Sequence, residues 1–308
     1  MSTHFDAVVL GDGPVGRTTA DELLSRGQRV RVVTRSGSGP RSADRHRADV
    51  TDAAAVATAI GDAPLVVMAT HAPYRSAAWR DLLPRMERPV LAHVTTTGAT
   101  LVLPESLYAF DPDAGPISAT TPRGPRSPKG EVRRDLLAAR EASGARVRSV
   151  AAGDFVGPRV LASAAGETLA GRIVAGSRPV AFGRADLPHA FTYVPDLVRA
   201  MLAAAELPGD GHRLLMAPHA GSITQQALAD VLADAAAVPR RKVLTLGTVT
   251  SALVGAVVPD VRELREVIYQ FTQPFEIDAT ADEELLGLTA TPWDHAAKET
   301  VDWWRSRP

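Results

Sequence analysis

The stretch Ala7-Val8-Val9-Leu10-Gly11-Asp12-Gly13-Pro14-Val15-Gly16 decides the fold. Four apolar residues ending on a glycine read as a short strand buried on both faces, the kind a parallel sheet contains. A helical pattern follows at once. Val15, Thr19 and Leu23 fall on one stripe, Ala20 and Leu24 beside it, and Gly27 is a natural stop. Between strand and helix stands Gly-x-Gly-x-x-Gly. Gly11 permits a tight turn, Gly13 lets the backbone approach a pyrophosphate, and Gly16 lets helix and strand pack closely. Pro14 suits a first helical turn, which has no amide partner to lose. The helix start offers free N–H groups and the positive end of its dipole to phosphate oxygens. A plain glycine turn is the simpler alternative. The strand–motif–helix placement favours a dinucleotide, held by Gly11, Gly13, Pro14, Val15 and Gly16.

The second strand, Val30 to Thr34, ends in Arg35-Ser36. Sites that prefer NAD place an acid about 20 residues after the glycines, on the ribose hydroxyl. No acid occurs here before Asp44. The planar fork of Arg35 suits a phosphate, and Ser36 and Ser38 add hydroxyl donors. The expectation is NADP(H) in preference to NAD(H), against the alternative that Arg35 stacks on adenine or points to water.

Outward from this start, strands and helices alternate. A third strand is expected at Arg47 to Val50, a helix capped by Thr51 or Asp52 and ending at Gly61, a fourth strand at Leu65 to Thr70 and a fifth at Pro89 to Thr95. Thr96 to Pro128, with six prolines, reads mostly as loop. A helix at Lys129 to Ala142 and a sixth strand at Arg146 to Ala151 follow. Beyond them, Phe191 to Val194 and His212 to Met216 read as strands flanking a helix from near Asp196. Ile223 to Ala236, Val261 to Phe271 and Trp293 to Trp304 read as helices. The rhythm predicts a doubly wound α/β fold, a parallel Rossmann-type sheet with a smaller, mainly helical C-terminal lobe. Residues 1–160 would form the dinucleotide-binding domain and 161–308 the substrate lobe, with 189–217 returning to the sheet.

Composition narrows the function classes. The chain has 308 residues, 45% hydrophobic and 22% charged, a net charge of −1 and no cysteine. Disulfides, thiolate metal sites and a Cys nucleophile are excluded. Near-neutral charge gives no field to recruit nucleic acid or an anionic membrane. No apolar run approaches the roughly 20 residues of a spanning helix, and the N-terminus lacks a basic leader, so a cytoplasmic protein is expected. No spacing reads as a metal site.

Taken together the chain resembles the extended short-chain dehydrogenase/reductases, the NAD-dependent epimerase/dehydratase group. Ala48-Asp49-Val50-Thr51-Asp52 is similar to the third-strand acid motif, which implies that Asp49, next to Val50, reaches the adenine. Val66-Val67-Met68-Ala69-Thr70-His71 resembles the fourth-strand segment, implying that Ala69 and Thr70 lie beside the cofactor ribose. Asp154-Phe155-Val156-Gly157-Pro158 is similar to the turn after the sixth strand, and Phe191-Thr192-Tyr193-Val194-Pro195-Asp196-Leu197 to the later strand–helix junction. The resemblance implies a small-molecule substrate and is compatible with a homodimer.

The family's Tyr-x-x-x-Lys pair is not matched. Lys129 opens the corresponding helix, but Pro125 stands four residues before it. Lys129 could act alone beside the cofactor, or Tyr108 could supply the proton from another position; otherwise the site does no hydride chemistry. His71, at the carboxyl edge of the fourth strand, could touch substrate or simply cap a loop. Thr95, with Thr96 and Thr97, would end the fifth strand near the nicotinamide, and His93 would be a core residue. His189 and His219 could line a cleft. Arg123, Arg126, Arg133 and Arg134 make a basic patch that binds a substrate anion or only solubilises a loop. Asp260, Arg262, Glu263, Arg265 and Glu266 read as a solvated helical face, and Trp303 and Trp304 as packing. The reading is an NADP(H)-dependent oxidoreductase or epimerase-like enzyme. The alternatives are a non-catalytic NADP(H)-sensing regulator and a non-redox lyase, isomerase or cyclase.

Overall fold

The computed structural model describes residues 4–246, 263 and 265–307. Seven strands form the main sheet: β1 (Ala7–Leu10), β2 (Val30–Thr34), β3 (Asp44–Arg47), β4 (Leu65–Met68), β5 (Thr100–Ser106), β6 (Val147–Ala152) and β7 (His212–Met216). Their spatial order is β7-β6-β5-β4-β1-β2-β3. β1 pairs in parallel with both β2 and β4, so the order reverses at β1. In open α/β sheets that reversal marks the ligand crevice, outside the carboxyl ends of the strands. All four β1 residues are fully buried, which is why the strand is uniformly apolar.

Helices α1 (Pro14–Ser25), α2 (Ala53–Ile60), α3 (Ser76–Thr97) and α4 (Pro128–Ala142) connect these strands. Asp52 caps α2, its carboxylate accepting from the N–H groups of Ala54 and Ala55. Ser127 caps α4: its hydroxyl accepts from Gly130 N–H at 3.1 Å.

Three expectations are corrected. The third strand lies three residues earlier than the sequence suggests, so Asp49 follows it instead of lying in it. The fifth strand is not Pro89 to Thr95. Those residues belong to α3, which runs through Pro84 and Pro89 and buries Trp79, Leu83, Met86, Glu87, Val90 and Val94 on one stripe. That burial outweighs the two backbone bonds that the prolines remove. The true β5 lies in the stretch read as loop. Gly98, at φ 76°, ends α3, and Thr100 to Leu103 enter the core. The expected helix over Val261 to Phe271 is a 3-10 helix at Arg265–Phe271; Val261, Arg262 and Leu264 lie outside the described residues.

The chain divides into two compact units. The first comprises Met1–Glu105, Val132–Ala151 and Leu197–Leu215 and carries the main sheet; the second comprises Ser106–Glu131, Ala152–Asp196 and Met216–Pro308. The second packs the helices Gln225–Ala235 and Trp293–Ser306 and three two-stranded ladders around Leu169, Phe191, Leu228, Leu232 and Val301. No helix among the described residues is long and apolar enough to cross a membrane.

Candidate cofactor and active site

The glycine loop leaves the carboxyl end of β1. Gly11 has φ +108°, and a Cβ there would lie 2.7 Å from the Ala69 carbonyl oxygen. A Cβ on Gly16 would overlap the Gly11 carbonyl. These two glycines therefore serve the fold, through close approach of β1, α1 and the β4 end. Gly13 differs: a Cβ there would meet no protein atom within 4 Å. It is the N-cap of α1, no side chain caps the helix start, and Pro14 follows. Uncapped N–H groups on an open face fit a pyrophosphate. Asp12 in the same loop would repel one, but Arg17 grips its carboxylate with two bonds, 2.6 and 2.8 Å. Sequence reading passed over this pair.

The β2 end presents an exposed Arg35 and the Ser36 and Ser38 hydroxyls, 3.1 Å apart. Asp49 is exposed after β3. Its carboxylate accepts from the Thr51 N–H and hydroxyl, both at 2.9 Å, and these bonds, with the nearby charge of Arg35, hold its pKa below the ordinary range. Val50 is buried beside it.

After β4, the Ala69 N–H donates to the Leu10 carbonyl at 2.8 Å, and the Thr70 hydroxyl is buried with no partner among the described residues. His71 is solvent-exposed as a residue, while its ring packs edge-on against Trp79 at 4.9 Å. The Ala72 carbonyl, 2.6 Å from Nδ1, can only accept, so Nδ1 carries the proton. Nε2 then accepts from Arg133 at 3.1 Å. His71 is a neutral imidazole. Burial, then the charge of Arg133, pushes its pKa down to about 4. Protonation thus favours the unfolded chain. The His71 contribution is complete above pH 6.5 and is lost as pH falls toward 4. Proton-detected imidazole titration should show a neutral His71 at pH 6, and His71→Gln should flatten the acid limb of the stability profile. A ring that titrates near 6.5 contradicts this tautomer.

Behind His71 lies a buried charge network. Arg140 donates to Glu87 at 2.6 and 2.8 Å, to Glu105 at 2.7 Å and to Ser149 at 3.0 Å. Arg133 lies 3.5 Å from Glu105. Glu87, Arg133 and Arg140 border, with Thr70, His71 and Leu103, a cavity of about 40 Å³ at the carboxyl ends of β4 and β5. Arg133 keeps a buried Nε–H without an acceptor among the described residues.

Helix α4 begins at Pro128, which leaves Pro125 outside it. The pair spaced four apart on this helix is therefore Lys129 and Arg133, two cations. Lys129 is fully buried. Its ammonium donates to the Glu263 carboxylate at 2.6 Å, to the Glu263 carbonyl at 3.3 Å and to Glu266. Glu263 and Glu266, expected on a solvated face, instead hold Lys129; Asp260 and Arg262 lie outside the described residues. Tyr108 sits in the short 3-10 turn Leu107–Ala109, its carbonyl packed against Gly130.

Thr95 does not end a strand. It lies exposed on α3, its hydroxyl donating to the Leu91 carbonyl at 2.7 Å, and Thr96 and Thr97 bond the same way. His93, also on α3, bonds the Gly61 carbonyl at 2.9 Å instead of filling the core. In the second unit Phe155 pairs with Thr192. His189 is buried with Asp154 at 2.8 Å from Nε2. Among the described residues no three acids or histidines are grouped to hold a metal ion.

No curated protein matches the chain in sequence. Solved structures share its fold. They include the Bordetella bronchiseptica enzyme WbmH in complex with NAD+ (TM-score 0.77, 18% identity, 98% of this chain and 99% of that one). The Thermotoga maritima UDP-glucose 4-epimerase with UDP-glucose is similar (TM-score 0.77, 20% identity, 97% and 98%). So is the Bacillus cereus UDP-N-acetylglucosamine 4-epimerase (TM-score 0.77, 12% identity, 98% and 97%). The family model of the NAD dependent epimerase/dehydratases matches residues 7–215, from β1 into β7. With a fitting glycine loop at the sheet's reversal point, the chain belongs to that family of enzymes.

Proposed function

We propose that this chain is an NADP(H)-dependent oxidoreductase or epimerase-like enzyme acting on a small organic substrate. The β2 end carries the reading: Arg35 and two serine hydroxyls stand where NAD sites place an acid, beside a glycine loop that fits a pyrophosphate. The cofactor, when bound, supplies hydride transfer. The chain supplies binding and proton handling. The α1 start holds the pyrophosphate, Arg35 the 2′-phosphate, Asp49 and Val50 flank the adenine, and Ala69 and Thr70 the ribose. Phe155 is a further cofactor contact in this reading. Lys129, held by Glu263 and Glu266, is the proton donor, with Tyr108 as its partner. His71, being neutral, suits proton acceptance. The same reading makes the enzyme cytoplasmic and a homodimer, with no nucleic-acid or membrane partner. Since the Thermotoga epimerase was crystallised with UDP-glucose, nucleotide sugars are the first substrate class to try.

The test is incubation with NADPH or NADP+ and a panel of nucleotide sugars and small carbonyl compounds. Nicotinamide absorbance and product NMR are the readouts. Substrate-dependent turnover that Lys129→Met removes, with NADPH binding retained, supports the enzyme. Tight NADPH binding without turnover favours a redox sensor, the reading that the full commitment of the Lys129 ammonium to acceptors would then explain.

A further inference from the structure

We propose that Arg47, on the sheet-edge strand β3, is the second arginine of a phosphomonoester site and sets the preference for a 2′-phosphorylated dinucleotide. The inference rests on the dinucleotide reading above. Its first support is register. Thr34 of β2 pairs with Arg47 of β3, about 4.8 Å across the ladder, so Arg47 ends β3 beside Thr34, and Arg35 is the next residue along from Thr34.

The loop after β2 folds back along β3. A Cβ on Gly37 would lie 3.9 Å from the Arg47 Cβ, and one on Gly39 would lie 3.2 Å from the Arg45 Cγ. The root of the Arg47 side chain therefore lies beside the loop that carries Ser36 and Ser38. Those hydroxyls face each other at 3.1 Å, and the Thr34 hydroxyl donates to the Ser38 carbonyl at 3.1 Å, fixing the loop's return.

Charge distinguishes the two arginines. Arg31, three pairs along, is bound to Asp44 at 2.7 Å. Arg35 faces Asp49, whose carboxyl senses it. Arg47 is exposed and has no acidic partner among the described residues. A bound phosphomonoester carries nearly two negative charges at neutral pH. Asp49 already senses Arg35 and Arg85, so Arg47 adds a positive charge that no nearby acid among the described residues offsets, and its loss should lower the preference for a phosphorylated ligand. Bidentate guanidinium geometry suits the ligand as well.

The experiment uses the purified chain and two ligands that differ only in the phosphate, adenosine 2′,5′-bisphosphate and adenosine 5′-monophosphate, titrated by calorimetry. Wild type should bind the bisphosphate more tightly, with an advantage that shrinks as salt rises. Arg47→Gln should weaken bisphosphate binding about tenfold and leave the monophosphate unchanged. Arg47→Lys should fall between. Arg47 is exposed on an edge strand, and circular dichroism verifies that the variants fold. If wild type prefers the bisphosphate and Arg47→Gln keeps the full preference, the Arg47 inference fails while the cofactor reading stands. Equal weakening of both ligands also overturns it. If wild type shows no preference, the NADP(H) reading fails, and the inference with it.

Discussion

Replacing Arg140 with methionine should destabilise the protein by about 3–5 kcal/mol, the scale seen when one partner of a buried ion pair is removed. Arg140 is 1% exposed, Glu87 5% and Glu105 3%. Burial opposes the arginine's charge, but the two carboxylates outweigh it and hold the guanidinium firmly protonated. Once the guanidinium is gone, Glu87 loses two charge-assisted bonds and Glu105 one, with Arg133 3.5 Å from Glu105. The ions join α3, β5 and α4, so the loss should spread through the first unit. Exchanging Arg140, Glu87 and Glu105 together for apolar residues of similar volume should be far milder, since no charge is then stranded. Urea unfolding of the single and triple variants checks this. A single variant within about 1 kcal/mol of wild type would show that the network is hydrated, and the account of a dry charge cluster would be wrong.

The second large effect separates two glycines that the motif treats alike. Gly16→Ala should lose both stability and dinucleotide affinity. Its Cβ would overlap the Gly11 carbonyl and lie 3.3 Å from the Ala69 Cβ, so α1 must shift away from β1 and carry its N–H groups with it. Gly13→Ala should behave differently. Its Cβ meets no protein atom, and the stability change should stay within about 1 kcal/mol, the usual scale for an N-cap exchange. Dinucleotide affinity should still fall at least about tenfold, because the added methyl occupies the face that a pyrophosphate needs. Melting curves and binding titrations of the pair give the contrast. If Gly13→Ala binds as wild type does, the pyrophosphate does not sit where the loop implies.

How far the sequence carried depended on local chemistry. β1, the glycine loop, α1 and β2 were legible to within a residue, because an apolar strand, Gly-x-Gly-x-x-Gly, Pro14 and Gly27 all describe local geometry. The α3–β5 region was not. Pro89 and the run Val94-Thr95-Thr96-Thr97 resist helix locally, and only the burial of Trp79, Leu83, Met86, Val90 and Val94 on one stripe outweighs them. That stripe carried a further signal. Glu87 occupies a core position within it, as Arg140 does beside Leu136 and Leu137 on α4. A charge in an apolar stripe needs a partner, and the two could have been matched on that ground. Lys129 at the start of α4 was legible, as was Pro125 four residues before it; what surrounds its ammonium was not. The Ser127-Pro128 start of α4 fixes which residue lies one turn away, and that residue is Arg133. Glu263 and Glu266 reach Lys129 from more than 130 positions along the chain, a separation at which charge spacing on a helix says nothing. Arg47 required the register of β3 against β2, and that register lay three residues from the sequence-based one.

The central claim is a dinucleotide at the Gly11–Gly16 loop with Arg35 selecting the phosphorylated form. The most direct test is titration of the purified protein with NADPH and with NADH, read as energy transfer from its four tryptophans. The account predicts tight NADPH and weak NADH binding, with the difference lost in Arg35→Gln. NADH binding as tightly as NADPH, or neither binding at all, would contradict it.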